Sequence, residues 1–353
     1  MTRPAVPLRR SGRRSPLALG VATALVLALV AAGCGDDKKP TARKRPVRST
    51  TTSTVPPPAA PLTGRPDPGG RSLRRPALSV KVENTPAARP QAGLDEADVV
   101  WEEVVEGGIT RFLAMYNSRV PEVVGPIRSV RLTDPGIVWP VGGIFAFSGG
   151  ARPATQAIDQ APVVVVDESR AGPAMFRDGS KRAPHNLFGR GAGLFAKGGE
   201  PVPPPALFGY LPRGRNPAGE TASAVRIGFA GGYAVTYTWD RGSRSWIRSM
   251  DGVPFKAASG ATIAPTNVVV LSVRYAGGVG RQGAEAQLVG EGPAWVLSGG
   301  KVVVGRWVRP DRAKPARLVD AAGAPVRLVP GTTWVALPDV SYPVDVTRPT
   351  PEG

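Results

Sequence analysis

Short apolar segments at regular spacing fill the sequence between Ala224 and Pro338, and this pattern constrains the fold more than any other feature. The segments are VRIGF, YAVTYTW, SWIRSM, NVVVLSV, AQLVG, AWVLS, KVVVGRWV, ARLVD, VRLVP and TWVALP. Turn-forming residues separate them, as at Asp240-Arg241-Gly242, Gly299-Gly300 and Pro330-Gly331. Short strands joined by such turns predict an antiparallel sheet folded as a sandwich or a barrel.

The preceding part of the chain mixes strand and helix signals. Leu78 to Val82 alternates apolar and polar residues as a strand does, and Ile144 to Phe147 indicates a buried strand. Val163 to Val166 is an all-valine run, typical of a strand that is buried on both faces. Asp134, as an N-cap before Pro135, predicts a short helix.

Three further elements are predicted in the N-terminal half of the chain. Val123 to Arg131 predicts a third extended segment, Pro153 lies near the start of a second helix, and the Gly- and Pro-rich stretch from Gly189 to Asn216 predicts a loop. We therefore predict an α+β N-terminal domain with a mixed sheet over residues 76–215. An all-β C-terminal domain over residues 222–345 and a short tail at 346–353 are expected to follow.

The stretch from Gly93 to Gly108 fits two structures. A helix would place Trp101 and Val105 on an apolar face opposite the acids, whereas a strand would alternate them with polar residues. The β-branched content and the Gly107-Gly108 break favour a strand, with Phe112 to Tyr116 returning as its hairpin partner. We predict the strand, and the helix is the alternative.

The N-terminus carries the features of an export signal. Five arginines precede an uncharged apolar stretch of 16 residues, Leu17 to Ala32, and Ala31-Ala32-Gly33-Cys34 follows with small residues. This resembles a bacterial lipoprotein signal over residues 1–34, in which the thiol of Cys34 accepts a lipid. An uncleaved membrane-spanning helix is the alternative, but spanning needs roughly 20 apolar residues. We expect an exported protein anchored by lipid to the outer face of the bacterial cytoplasmic membrane.

Residues 35–75 are rich in Pro, Thr, Lys and Arg and lack hydrophobic periodicity. Such a composition cannot bury a core, so it predicts a disordered tether. Basic residues beside an anchor favour contact with anionic lipids or wall polymers, or simply solubility.

The charge distribution argues against nucleic acid as a partner. The formal net charge is +18, but residues 1–75 hold 15 Lys and Arg against 3 Asp and Glu, a net of +12 that leaves only +6 for the 278 residues that follow. A duplex-binding domain needs a clustered basic face, and no zinc-finger, basic-zipper or RNA-binding signature is present in the sequence.

The segment from Glu83 to Arg131 is the densest in charged residues. Seven carboxylates lie between Glu83 and Glu106 beside one arginine, Arg89, after which Arg111, Arg119, Arg128 and Arg131 follow. In the sequence RSVR, Arg128 and Arg131 are separated by two residues on a segment expected to be extended, and we expect both on one face, where they could hold one anion together with Arg111. The alternative is a buried network in which the arginines pair with these acids and organise the sheet.

Several motifs resemble the YerB-like family of bacterial lipoproteins. They are ENTPAARPQAGLDEADVVWEEVVEGGITRF from Glu83, VGPIRSVR, RAPHNLF, SWIRSMDG, NVVV from Asn267 and PGTTWV from Pro330. The resemblance covers two segments, residues 76–215 and 222–345, and implies a membrane-anchored envelope protein built from a pair of domains of unknown function. It implies an architecture and a location, but no reaction.

The candidate ligand-binding residues come from these charged motifs. They are Arg89, Gln91, Glu102, Glu106, Arg111, Arg128, Arg131, Arg177, His185 and Asn186. His185, the only histidine, could donate a proton, bind a metal or cap a loop. A cation bound by oxygens at Asp95, Asp98 and Glu102 is a weaker possibility, and we expect neither a metal nor another cofactor.

Three functions remain open on the sequence. The first is a non-catalytic envelope lipoprotein that binds an anionic wall or lipid-linked ligand, or a protein partner, through the charged part of its N-terminal domain. The second is an enzyme acting on phosphate- or sugar-bearing wall polymer, with Glu102 or Glu106 as acid or base. The third is an envelope scaffold without a small ligand. No hydrolase triad, phosphate-binding Walker loop or two-histidine metal motif is present in the sequence.

Overall fold

The computed structural model describes residues 57–198 and 200–349. In the first half the strands are β1 (Leu78–Glu83), β2 (Val99–Val104), β3 (Thr110–Tyr116), β4 (Val123–Val124), β5 (Ile144–Ala146), β6 (Val164–Val166), β7 (Met175–Arg177) and β8 (Leu187–Arg190). The α-helices are α1 (Thr133–Val138), α2 (Arg152–Ile158), α3 (Glu168–Ala171) and α4 (Gly191–Phe195). The predicted mixture of strands with few helices is confirmed.

The second half is built from strands. They are β9 (Glu220–Thr221), β10 (Ala224–Gly228), β11 (Ala234–Asp240), β12 (Ser245–Met250), β13 (Val253–Pro254), β14 (Asn267–Leu271), β15 (Tyr275–Ala276), β16 (Glu285–Ala286), β17 (Gly290–Ser298), β18 (Lys301–Arg309), β19 (Arg317–Asp320), β20 (Thr333–Leu337) and β21 (Val344–Thr347). Short 3-10 turns occur at Ser72–Arg74, Pro86–Ala88, Leu94–Glu96, Glu106–Gly108, Gly172–Ala174 and Ala230–Gly232. The predicted all-β C-terminal region, with mainly antiparallel pairing, is confirmed.

An 11-stranded sheet contains strands from both halves of the chain. Its order is β19-β18-β17-β14-β20-β2-β3-β1-β5-β6, with β9 paired to β18. β20 lies parallel to both β2 and β14, so it connects the N-terminal strands to the C-terminal ones. A five-stranded antiparallel sheet has the order β13-β12-β11-β10-β21, and β4-β8-β7 and β15-β16 form two smaller sheets.

The five-stranded sheet and the large sheet share an apolar core. Phe112 of β3 is buried, and its ring lies edge-on to Trp334 of β20 at 5.2 Å and to Phe255 at 6.1 Å between centroids. Trp246 and Tyr237, on β12 and β11, are also buried. Each such side chain contributes roughly 1.5–3 kcal/mol through burial alone, so this core holds the two halves together.

The strand predicted between Gly93 and Gly108 is confirmed as β2, with a turn at Glu106–Gly108 and β3 as its antiparallel partner. The prediction for the valine run was wrong in part. β6 lies at the edge of the large sheet, and Val164 is 38% exposed. A valine run alone therefore does not distinguish an edge strand from a strand buried on both faces.

The region around α1 also departs from the prediction. Leu132, not Asp134, is the N-cap of α1, and Asp134 lies inside the helix, fully buried. Its carboxylate instead accepts a hydrogen bond of 2.8 Å from Nζ of Lys81. A buried ammonium needs a buried anion, and this requirement outweighs the capping preference of aspartate.

Other boundaries were wrong as well. The loop predicted from Gly189 includes the end of β8 and the helix α4. In the extended segment predicted over residues 123–131, Val123–Val124 form a strand, and Gly125 and Ile127 make isolated bridges. VRLVP forms no strand, although Leu328 makes an isolated bridge with Tyr210. Val346 and Thr347, assigned to the tail, pair with β10.

The prediction of a disordered tether was wrong for residues 57–75. Residues 57–75 belong to the packed structure, because Leu62 and Ser72 are buried and the hydroxyl of Tyr210 donates a 2.5 Å hydrogen bond to the carbonyl of Leu62. The rest of the tether and the export signal with Cys34 lie outside the described residues. In the described part, no helix is long and apolar enough to cross a bilayer.

Candidate functional site

The charged residues gather at one edge of the large sheet. β1, β5 and β6 are parallel, and β2 runs in the same direction because both β1 and β2 are antiparallel to β3. The segments that follow these strands therefore emerge at a common carboxyl edge. In open α/β sheets ligands bind outside the carboxyl ends of the parallel strands, and by analogy we take this edge of the mixed sheet as the candidate site.

Side-chain alternation divides the acids of β1 and β2 between the two faces of the sheet. Glu83 and Glu103 both oppose Arg111 in register and share its face, whereas Glu102 opposes Phe112 and lies on the other face. The site residues predicted from sequence are therefore separated into two groups.

A buried ionic cluster lies on the face of the sheet that carries Glu103 and Arg111. Lys81 Nζ contacts Oε1 of Glu103 and lies 2.8 Å from Oδ1 of Asp134, and the side chains of all three residues are fully buried. Oε2 of Glu103 has no hydrogen-bond partner. Burial and the charge of Asp134 raise the pKa of Glu103 to about 7. The cluster is closed to solvent, so it has a structural role in the sheet and does not bind a ligand directly.

Nearer the solvent, two arginines converge on Glu106. Arg111 Nη2 lies 3.0 Å from Oε1 of Glu106, Arg131 Nε donates a 2.7 Å hydrogen bond to Oε2, and Arg131 Nη2 contacts Oε1. Burial alone would raise the pKa of Glu106, but the hydrogen bond from Arg131 and the charge of Arg111 bring it to about 2. Arg111 is nearly buried, while Arg131 and Glu106 are 21% and 41% exposed in their side chains. Arg131 is thus held rigidly at a solvent-accessible position.

Arg131 and Glu106 line a cleft of about 590 Å³. The same cleft is lined by Ser129, by Gly150 and Pro153 at the start of α2, and by residues 281–284 of the loop between β15 and β16. Its volume falls within the range of small-molecule sites. The cleft therefore combines residues from both halves of the chain at the carboxyl edge.

The glycine-rich loop GGVGRQG brings Arg281 to this cleft. The N–H of Gly107 donates a 2.9 Å hydrogen bond to the carbonyl of Gly280, and a Cβ added to Gly280 would lie 3.2 Å from the backbone of Gly108. Gly280 also has a φ of +73°, so a residue with a side chain could not make this close approach. Arg281 is exposed and takes part in none of the ion pairs of residues 57–198 and 200–349. Sequence reasoning missed Arg281, although an arginine within four glycines is a usable signal.

Arg128 does not join Arg131, so the expectation of a shared face was wrong. Arg128 Nε lies 3.5 Å from Oε2 of Glu83, and His185 Nδ1 lies 2.9 Å from both carboxylate oxygens of Glu83. The expectation overlooked the spacing: Arg128 and Arg131 are three positions apart, and alternation on an extended segment places only residues an even number apart on one face. His185 and Arg128 remain partly exposed, while Glu83 is buried. This group is a second charged cluster beside the cleft.

The opposite face holds Arg89, Gln91 and Glu102. Arg89 and Gln91 donate hydrogen bonds to Asn84, and Glu102 lies 3.1 Å from Nη2 of Arg248. Glu102 and Arg248 are both buried, and the Arg248 guanidinium lies 4.3 Å from the ring centroid of Phe255. Glu102 is therefore inaccessible as a general acid or base. Arg248 was missed, although it lies two residues after the apolar Trp246 on a strand, a spacing that indicates an inward position.

The remaining predicted residues form ion pairs and hydrogen bonds with other protein groups, outside the cleft. Arg177 pairs with Glu168 at 2.7 Å and donates a 2.8 Å hydrogen bond to Asn186, on the β7–β8 hairpin. Asp98 accepts hydrogen bonds of 2.7 and 2.6 Å from the backbone N–H groups of residues 117 and 118. Asp95 accepts a side-chain hydrogen bond of 2.8 Å from the hydroxyl of residue 259. Asp95, Asp98 and Glu102 are thus engaged with separate partners, so the weaker idea of a cation shared among them was wrong.

Comparisons with known proteins agree with the resemblance noted in the sequence. The family model described as "Protein of unknown function (DUF3048) N-terminal domain" matches residues 62–200, and the corresponding C-terminal domain model matches residues 225–335. The chain is 29% identical over 297 residues to the protein named "Putative lipoprotein YerB" of Bacillus subtilis (strain 168), across 80% of this chain and 86% of that protein. Its fold is similar to a crystal structure of the YerB protein from Bacillus subtilis, with a TM-score of 0.70 and 25% identity, over 82% of this chain and 99% of that one. The chain belongs to the YerB-like family, whose two parts are the N-terminal and C-terminal DUF3048 domains.

Proposed function

We propose that this protein is an exported lipoprotein, anchored to the outer face of the bacterial cytoplasmic membrane through Cys34, that binds an anionic envelope ligand in the cleft at the carboxyl edge. The export signal of residues 1–34 and the name of the Bacillus subtilis relative support the anchoring. Because a lipid-anchored domain stays near the membrane and the wall, its ligand comes from those surroundings.

The observation that carries the binding role is the presence of Arg131 and Arg281 in one open cleft. Arg131 is fixed by Glu106, so it loses little side-chain entropy when a ligand binds. Arg281 has no carboxylate partner among the described residues, so its charge is available to an anion. Two guanidinium groups against one carboxylate give the cleft an excess of positive charge, which favours a phosphate or a carboxylate.

The cleft supports binding better than it supports hydrolysis. Its only carboxylate, Glu106, has a pKa of about 2 and is engaged by Arg111 and Arg131. An acid or base at neutral pH needs a pKa near the working pH, so Glu106 is unsuited to that role. A ligand-binding protein is therefore the stronger of the functions considered from the sequence.

Thermal unfolding with and without anions tests the proposal. We expect inorganic phosphate to raise the melting temperature relative to chloride at the same ionic strength, and pyrophosphate, which brings more negative charge than the cleft neutralises, to raise it no further. A ligand at about 100 times its Kd adds about 2.7 kcal/mol to the free energy of unfolding. An unchanged melting temperature with both anions would count against an anion site in the cleft.

A further inference from the structure

The lining of the cleft restricts what can be attached to the bound anion. Among the residues that line it, only Glu106, Arg131 and Arg281 carry charge. The remainder is mostly apolar or small, including Leu132 and Pro153. A polyanion such as a nucleotide or an anionic wall polymer would bring several charges to a site with a single excess positive charge. The electrostatics therefore favour a ligand with one anionic group.

Apolar surface in the cleft is available to the rest of such a ligand. Leu132 is half-buried and Pro153 is exposed, and both line the cleft together with the buried side chains of Val105 and Val130. These side chains cannot hydrogen-bond the hydroxyls of a sugar, but they can cover methylene groups and remove them from water. The cleft thus offers a charged part for a head group and an apolar part for a chain.

We infer, on the basis of the proposed function, that the ligand is an amphiphilic anion, in which a single phosphate or similar group carries an apolar chain. The head group binds Arg131 and Arg281, and the first methylene groups of the chain pack against Leu132 and Pro153. A lipid phosphate and a free phosphate share the head-group chemistry, and the chain distinguishes them. The cleft is open to solvent, so a chain longer than its apolar wall continues outside it.

A series of short alkyl phosphates tests this inference by isothermal titration calorimetry on the lipid-free protein. Each methylene removed from water strengthens binding roughly fourfold. Because the cleft covers only part of the chain, we expect hexyl phosphate to bind at least about tenfold more tightly than ethyl phosphate. Hexanol, which has the chain without the anion, is expected to bind far more weakly than hexyl phosphate.

The possible results separate the inference from the proposed function. If phosphate, ethyl phosphate and hexyl phosphate bind within about twofold of one another, the cleft is an anion site without chain recognition and the inference is wrong. If none of them binds, the proposed function fails as well. If hexanol binds as tightly as hexyl phosphate, the arginines do not recognise the head group and the inference also fails.

Variants locate the chain-binding surface. Leu132→Ser should reduce the ratio of hexyl to ethyl affinity while the affinity for inorganic phosphate stays within about twofold. Leu73→Ser makes the same change at a side chain that is 36% exposed and does not line the cleft, so it should leave the ratio unchanged. An unaltered ratio of hexyl to ethyl affinity in a folded Leu132→Ser variant would show that the alkyl chain does not contact Leu132 and would contradict the inference.

Discussion

Glu102 and Glu103 are neighbours in β2, yet their carboxylates lie on opposite faces of the large sheet. Glu102 binds Arg248 at 3.1 Å, and Glu103 contacts Lys81. Strand alternation imposes this division, since successive side chains point to opposite faces. Each acid therefore serves a different part of the molecule: Glu102 joins the large sheet to the five-stranded sheet, and Glu103 belongs to the ionic cluster below the cleft.

Replacing Arg248 by methionine should strongly destabilise the protein. The variant leaves the buried carboxylate of Glu102 without its cation, and removal of one partner from a buried ion pair costs about 3–5 kcal/mol. Urea unfolding monitored by tryptophan fluorescence measures the change. Arg226→Met, at a side chain that is 54% exposed, is the control and should change stability by less than about 0.5 kcal/mol.

The double variant Glu102→Gln with Arg248→Met should be less destabilised than Arg248→Met alone, because both buried charges are then removed. Equal stability of the single and double variants would show that Arg248 acts through its contacts with Phe255 and the neighbouring rings and not through Glu102.

Stability should fall as pH rises between about 4.5 and 7. The pKa of Glu103 is raised from 4.5 to about 7 in the folded state by burial and by Asp134. The folded state therefore binds more protons than the unfolded state in this range, so the contribution of the neutral acid is present at low pH and is lost as pH rises through the folded pKa. Glu103→Gln stays neutral and should show a weaker dependence on pH over this range in urea unfolding. The same slope in both proteins would assign the dependence to other groups.

The sequence predicted β1, β2 and the longer strands of the second half, such as β11, β17 and β18, because apolar alternation reports directly on the pleat of a sheet. It missed the short strands β9, β13 and β15, and most of the segment AQLVG lies outside strands. It could not show that VRLVP forms no strand or that Val164 lies at the edge of the sheet. Both outcomes depend on which strands lie next to these segments in the fold. Asp134 was predicted as a helix cap because its contact with the buried Lys81 joins residues far apart in the chain. Local sequence patterns do not report such a contact.

The candidate site was predicted in part. Arg111, Arg131 and Glu106 were all named from their charge, and the two arginines meet at the carboxylate of Glu106, which lines the cleft. Arg128 and His185 were grouped with them but bind Glu83, because the backbone direction at a given residue is not evident from charge. Arg281 comes from the other half of the chain, and only the pairing of β20 with both halves brings it near.

The neutral form of His185 should carry its proton on Nδ1. Nδ1 lies 2.9 Å from both oxygens of the Glu83 carboxylate, which accepts but cannot donate a hydrogen bond when ionised. His185 is the only histidine, so nitrogen-15 NMR of an untagged protein reports on this ring alone. Glu83→Gln should shift the tautomer population toward Nε2–H. A dominant Nε2–H form in the unaltered protein would contradict the contact with Glu83.

Cys34 should carry the lipid. It is the only cysteine of the chain, so metabolic labelling of a bacterial host with an alkyne fatty acid should mark the unaltered protein and leave Cys34→Ala unlabelled. Ser53→Ala, in the segment that follows, is the matched control and should label normally. Labelling of Cys34→Ala at the normal level would exclude Cys34 as the attachment site.

The central claim is that Arg131 and Arg281 bind an anion together, and charge reversal at Arg281 tests it most directly. Arg281→Glu should weaken the binding of inorganic phosphate by at least about tenfold in calorimetry, because a hydrogen bond to a charged group contributes about 1.5–3 kcal/mol. Arg274→Glu makes the same change in charge at an exposed arginine that does not line the cleft, and should bind within about twofold of the unaltered protein. Equal affinity of the Arg281→Glu variant and the unaltered protein would contradict the claim.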